Sequence, residues 1–245
     1  MSNGYSDDAL STVLVTHSVL DFCDFVDDTD RFLDYLYMVR DEASLPDAMP
    51  LSLRMMKEQL KGAILDLLSR PFGNYLLRRL FYNCPNWAHH FADIIRELSQ
   101  CEELVYLCCS HNYLLFLTLL KHSSRRLKPE LLALAENIVK RAHIPSLITS
   151  KDGGIWVLES IVESFPALHG HVATVLKLYP KKYLSSMAID VVSHIFEGSP
   201  TDLNVIDLAR NFYRMSRRLK EKNFQRVTFA IDSILSEAST AEESE

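Results

Sequence analysis

The sequence predicts an all-α protein, an α-solenoid in which about four three-helix repeats stack between helical caps. Three observations predict it. Apolar residues return at three- and four-residue spacing, and clean period-two alternation is hard to find. Only 7 Gly and 9 Pro occur in 245 residues, sparse for a fold built on tight turns. Four of those prolines recur at near-regular intervals, each just before or at the head of an amphipathic stretch.

The chain opens with an acidic segment. Residues 1–50 carry 11 Asp/Glu against Arg31 and Arg40, a balance of −9. Within it, Ala9–Phe25 and Thr29–Glu42 read as two helices split by Asp27-Asp28, an N-terminal cap or half repeat. Residues 43–50, with Pro46 and Pro50, read as the linker to the array.

The array is expected over 51–218. Pro85, Pro129, Pro166 and Pro200, separated by 44, 37 and 34 residues, precede or open Trp87–Leu98, Glu130–Arg141, Ala167–Leu178 and Asp202–Arg214. Proline suits the first turn of a helix, where its missing N–H is no loss. A second, more apolar helix stands before each of these, beginning near Phe72, His111, Gly154 and Ala188. Aligned at Asn74, Asn112, Ile155 and Ile189, the second helices step by 38, 43 and 34 residues. A shorter apolar piece precedes each one: Leu60–Leu68, Glu103–Cys108, Pro145–Ile148 and Lys181–Ser186. Units of this kind cannot bury their own apolar faces and must stack. Residues 219–236 then supply a C-terminal capping helix, and the polar 237–245, with four Glu, a disordered tail.

Charge is divided along the chain. The middle, 51–236, holds 24 Lys/Arg against 17 Asp/Glu, a balance of +7 between acidic ends. A basic body can face nucleic acid while its termini face elsewhere. No apolar run reaches the ~18 residues of a membrane span, and the polar start Met1–Asp8 is unlike a signal peptide. Five cysteines, Cys23, Cys84, Cys101, Cys108 and Cys109, sit mostly in apolar helical surroundings and read as buried thiols of a reducing compartment. A cytoplasmic location is expected, with the nucleus left open.

Catalytic patterns are lacking: no G-x-S-x-G, no P-loop and no G-x-G-x-x-G. No enzyme activity and no cofactor are expected. Cys101, Cys108, Cys109 and His111 match no common zinc spacing, while His89-His90 and His169-Gly170-His171 read as surface or cap histidines. Gly153-Gly154 reads as a tight turn between helices.

One stretch is more specific. Phe72-Gly73-Asn74-Tyr75, two leucines and then Arg78 strongly resembles the second helix of a Pumilio (PUF) repeat, and the units at 111, 154 and 188 resemble it progressively less. The similarity spans about 52–218. It implies a crescent whose second helices line the concave face and read single-stranded RNA, one base per repeat. The first and last side chains of a five-residue stretch would touch a base edge: Asn74 with Arg78, Asn112 with Phe116, Ile155 with Glu159, Ile189 with Ser193. The second would stack between bases: Tyr75, Tyr113, Trp156 and Asp190. The family's glutamine at the last position is absent from all four units, and Phe116 and Ile155 carry no group to bond a base edge.

Single-stranded RNA is therefore the expected partner, in post-transcriptional control of mRNA. Other readings of the same residues stay open. The aromatic slots would also serve as core, the asparagines would also bridge adjacent repeats, and Arg78-Arg79, Lys121, Arg125-Arg126, Lys128, Lys140-Arg141, Lys181-Lys182 and Arg217-Arg218 would also be solvated helix-end charge. A helical scaffold binding a protein is the alternative function. Its partner surface would be the acidic 9–42 segment with Phe22, Phe25, Phe32, Tyr35 and Tyr37. Self-association end to end would lengthen so short an array.

Overall fold

The computed structural model describes residues 7–42, 49–83, 88–122, 127–141, 144–150, 153–178, 186–216, 227–228 and 230–236. Pro46, Pro85, Trp87, Cys84, Arg125-Arg126, Lys181-Lys182, Arg217-Arg218, the side chains of Tyr35 and Tyr37 and the tail 237–245 lie outside them. Every regular element among the described residues is helical. No helix there is long and apolar enough to cross a membrane.

The described residues form two compact units. The first is Met1–Leu104 with Leu114–Leu134, and the second is Val105–Tyr113 with Ala135–Glu245.

In the first unit, α1 (Asp7–Thr16) is followed by a 3-10 turn at Val19–Cys23 and then α2 (Val26–Glu42). Asp27 and Asp28 do not interrupt a helix, as expected above. They fill the first turn of α2, where carboxylates complement the exposed N–H groups. The break falls earlier, at Ser18. Its hydroxyl accepts from the Leu20 N–H, and the Asp21 carboxylate accepts from the Ser18 N–H, a reciprocal cap. Gln59 holds this break, donating to the Leu14 carbonyl at 2.7 Å and accepting from the Val19 N–H at 2.8 Å.

Gln59 belongs to α3 (Leu51–Leu60), which is followed by α4 (Ile64–Ser69) and α5 (Gly73–Asn83). α1 packs on α3, and α2 packs on α5. Arg70 grips Asp24 with both carboxylate oxygens within 3.0 Å, tying the same segments. Next come α6 (Ala92–Gln100), α7 (Leu104–Cys109) and α8 (Tyr113–Leu120). Glu97 of α6 accepts from the N–H groups of Gly62 and Ile64, closing the open end of α4.

α9 (Lys128–Arg141), α10 (Ile144–Thr149) and α11 (Gly154–Ser164) follow. Pro129 lies in the first turn of α9, and Pro166 opens a 3-10 turn leading into α12 (His169–Leu178). α13 (Ser186–Gly198) and α14 (Leu203–Ser216) come next, and residues 227–228 and 230–236 are also helical. Asp202 starts α14 by accepting from the Asn204 N–H at 2.8 Å.

A long helix, a six-residue helix and a second long helix thus follow one another three times, in α3–α5, α6–α8 and α9–α11. Each short helix ends in one turn: Leu67, Leu107 and Leu147, at equal intervals, accept from the N–H of Arg70, Ser110 and Ser150. In the second unit α11 packs on α13 and α12 on α14, so alternate helices pair.

Gly153 is the turn glycine its sequence context predicts. Its φ of 107° is open to glycine, and a Cβ there would lie 2.3 Å from Cγ of the Tyr113 ring.

Candidate nucleic-acid interface

α5 is amphipathic, and burial fixes its phase. Leu76, Leu77, Leu80 and Phe81 are sealed inside, while Tyr75, Arg78 and Arg79 are half-buried and Tyr82 is 72% exposed. Positions three, four and seven apart share one helical face, so these four form one outward stripe. The Arg79 guanidinium lies 5.5 Å from the centre of the Tyr75 ring, and its Nε donates to the Tyr75 hydroxyl at 3.3 Å. That hydroxyl donates in turn to Asp30 at 3.2 Å. The Nε of Arg78 is buried with no hydrogen-bond partner among the described residues.

α8 is apolar on all sides, from Tyr113 through Leu120. Leu115, Phe116, Leu119 and Leu120 are buried, yet Leu114, Leu117 and Thr118 remain half-exposed. Beside them runs a hollow of about 460 Å³, lined by Arg78, Phe81 and Tyr82 of α5 and by Leu114, Leu117, Thr118, Lys121 and His122. A second hollow of about 220 Å³ shares Arg78, Tyr82 and Thr118 and adds Tyr75 and Arg79. Among the described residues three cations line the two, and no carboxylate does. His122 Nε2 donates to the Phe81 carbonyl at 3.2 Å, and burial lowers its pKa although that bond raises it.

In the second unit the corresponding stripes carry the opposite charge. α11 turns Trp156, Glu159 and Glu163 outward, and α13 turns Asp190, Ser193, His194 and Glu197 outward. His194 lies 3.8 Å from Glu159 across the two helices. Trp156 is 42% exposed, and its ring centre is 5.3 Å from that of Tyr113.

The sequence-predicted residues divide by slot. The stacking slot, Tyr75, Tyr113, Trp156 and Asp190, reaches the surface in every unit. The first base-edge slot does not. Asn74, Asn112, Ile155 and Ile189 are all buried, at 7%, 2%, 1% and 5% exposure, which corrects their assignment as base contacts. Each stands one residue before the stacking position, about 100° round the helix from it, and here that turn carries it to the packed side. Asn112 also precedes α8 rather than lying in it. In the last slot, Phe116 is fully buried and belongs to the core, another correction, whereas Arg78, Glu159 and Ser193 are half-buried.

Further corrections concern single residues. Of the two readings of His169, surface or cap, burial removes the first, and the residue caps the 3-10 turn Pro166–Leu168. It is 1% exposed, with Nε2 donating to the Val162 carbonyl at 2.7 Å and Nδ1 3.0 Å from the Ser199 hydroxyl. Phe32, placed above on a partner-facing surface, is buried and stacks on Phe22, while Phe25 is 69% exposed. Cys23, Cys101 and Cys108 are buried free thiols and Cys109 is half-buried. Tyr82, Leu114, Leu117, Thr118 and His122 were not singled out by sequence. Tyr82 was readable, standing seven residues beyond Tyr75 on the same face. The half-exposed leucines were not, because α8 has no polar side from which to infer its phase.

Comparisons with family models, with curated proteins and with solved structures give no match for this chain.

Proposed function

We propose that this is a divergent Pumilio-like helical-repeat protein that binds single-stranded RNA, acting in post-transcriptional control of mRNA. One observation carries the reading: the outward face of α5 interleaves tyrosine and arginine beside hollows whose described lining residues include three cations and no carboxylate. Rings stack on bases of any identity, each for ~1–3 kcal/mol, and guanidinium groups neutralise phosphate. The pairing of alternate helices and the recurring leucine turn support a solenoid of three-helix units. The buried first edge slot argues for relaxed recognition of sequence, since a code needs both edge contacts in each unit.

An electrophoretic shift with a randomised single-stranded RNA pool tests the reading. The intact chain retains RNA, and Tyr75→Ala combined with Tyr82→Ala reduces affinity about tenfold or more with helicity unchanged. Undiminished affinity in that variant would place the binding face elsewhere.

A specific observation favours the scaffold reading as well. Phe25 and Val26 are 69% and 46% exposed beside Asp27 and Asp28 of the acidic segment. Partner capture that survives ribonuclease and is abolished by Phe25→Asp supports it; capture indifferent to that change removes it.

A further inference from the structure

The larger hollow beside α5 and α8 poses a physical problem. A helix apolar on every side belongs in a core, yet Leu114 and Leu117 of α8 are left half-exposed. Around them stand an exposed tyrosine ring, Tyr82, and the cations Arg78 and Lys121, with Arg79 in the adjoining hollow. Arg78 reaches this wall with its Nε buried and no partner for it among the described residues. A buried donor without an acceptor costs free energy that a ligand's acceptor would recover. The size, about 460 Å³, is that of a small-molecule site.

What fills such a space must be flat and apolar on its faces and anionic at its edge. A fatty chain would offer the Arg78 Nε no acceptor, and a bare phosphate would leave the leucines and the tyrosine uncovered. From this chemistry we infer that the hollow is a pocket for one nucleoside phosphate, its base held between Tyr82 and the Leu114–Leu117 surface and its phosphate met by Arg78, Arg79 and Lys121. It differs from the base-stacking slot of the resemblance: Tyr82, Leu114, Leu117 and Lys121 line it, whereas Tyr75 of that slot lines the adjoining hollow. The proposal rests on the RNA reading for one source of the ligand, an unstacked nucleotide of a bound strand. A free mononucleotide is the other source.

Both sources are tested on the full chain by titrating uridine and adenosine monophosphates and, separately, a fluorescent single-stranded RNA dodecamer. Two variants accompany them: Leu117→Trp, which fills the hollow, and Lys121→Glu, which reverses its charge. Lys61→Glu is the charge control, exposed and outside both hollows. The pocket predicts that each variant weakens whichever ligand binds by about tenfold or more, while Lys61→Glu changes it by less than about threefold. Thermal melts confirm that the variants fold.

The outcomes separate the two claims. RNA binding that both variants leave intact, with no mononucleotide binding, overturns the pocket and spares the RNA reading. Mononucleotide binding lost in the variants, with no RNA retained, overturns the RNA reading and keeps the pocket. Binding of neither ligand overturns both. Binding of an acidic, phenylalanine-containing peptide in preference to either nucleotide also overturns the pocket and turns the hollow into a protein-docking site.

Discussion

Gly62 and Gly153 both hold positive φ, 77° and 107°, but their surroundings differ. No atom stands within 4 Å of a Cβ added at Gly62, whereas one at Gly153 would press into the Tyr113 ring. Gly62→Ala is expected to cost only the backbone strain, roughly 1–2 kcal/mol. Gly153→Ala adds a displaced aromatic to that strain, so its melting temperature falls further in parallel thermal scans. Equal drops would mean that Tyr113 moves aside freely. Thiol reactivity follows from burial in the same way. Burial pushes the Cys23 thiol up to about 12, with Asp24 adding to it and Arg70 opposing, and it also drives Cys108 well above its usual value. Iodoacetamide at mildly alkaline pH should therefore modify half-buried Cys109 before Cys23, Cys101 or Cys108, read by peptide mass mapping. His122 sets a pH dependence. Burial lowers its folded pKa, so the unfolded chain binds the proton more readily. Its contribution is complete above the unfolded pKa of about 6.5 and is lost as pH falls through that value toward the folded one. Replacing it by Gln should flatten the stability curve below neutrality in urea titrations; superimposable slopes would refute the assignment.

At the scale of the helix, phase decides everything, because one position shifts a side chain about 100° round the axis. Phe116 and Tyr82 make the test. Phe116→Ala empties a sealed core position and should cost about 3–5 kcal/mol, whereas Tyr82→Ala, on the outward stripe, should stay within about 0.5 kcal/mol. Urea unfolding of the two variants checks it, and a comparable loss at Tyr82 would mean the stripe is misphased. The order of helices was legible because proline placement and apolar spacing are set by the chain itself. Phase was legible in part in α5, where Arg78-Arg79 mark the wet side but Asn74, expected there too, is buried. In α8 it was hidden, since leucines occupy both the buried and the half-exposed faces. The boundary between α1 and α2 was misread for a related reason. Paired aspartates open helices as readily as they interrupt loops, and only the Ser18–Asp21 cap shows where the turn falls.

Over the whole molecule, a single net charge hides surfaces of opposite sign. The stripe on α5 and the hollows beside it present Arg78, Arg79 and Lys121, while α11 and α13 present Glu159, Glu163, Asp190 and Glu197. RNA bound by the first set alone would release few counterions. For single strands each neutralised phosphate contributes about −0.7 to the slope of log affinity against log salt, so three cations predict a slope near −2. Fluorescence anisotropy across a salt series measures it. Lys121→Ala should make the slope shallower by about 0.7, and the double change Glu159→Gln with Glu163→Gln should leave it in place. The opposite result, a slope indifferent to Lys121 but altered by the glutamates, would move the nucleic-acid face to the second unit and leave the first unit's basic stripe without that role.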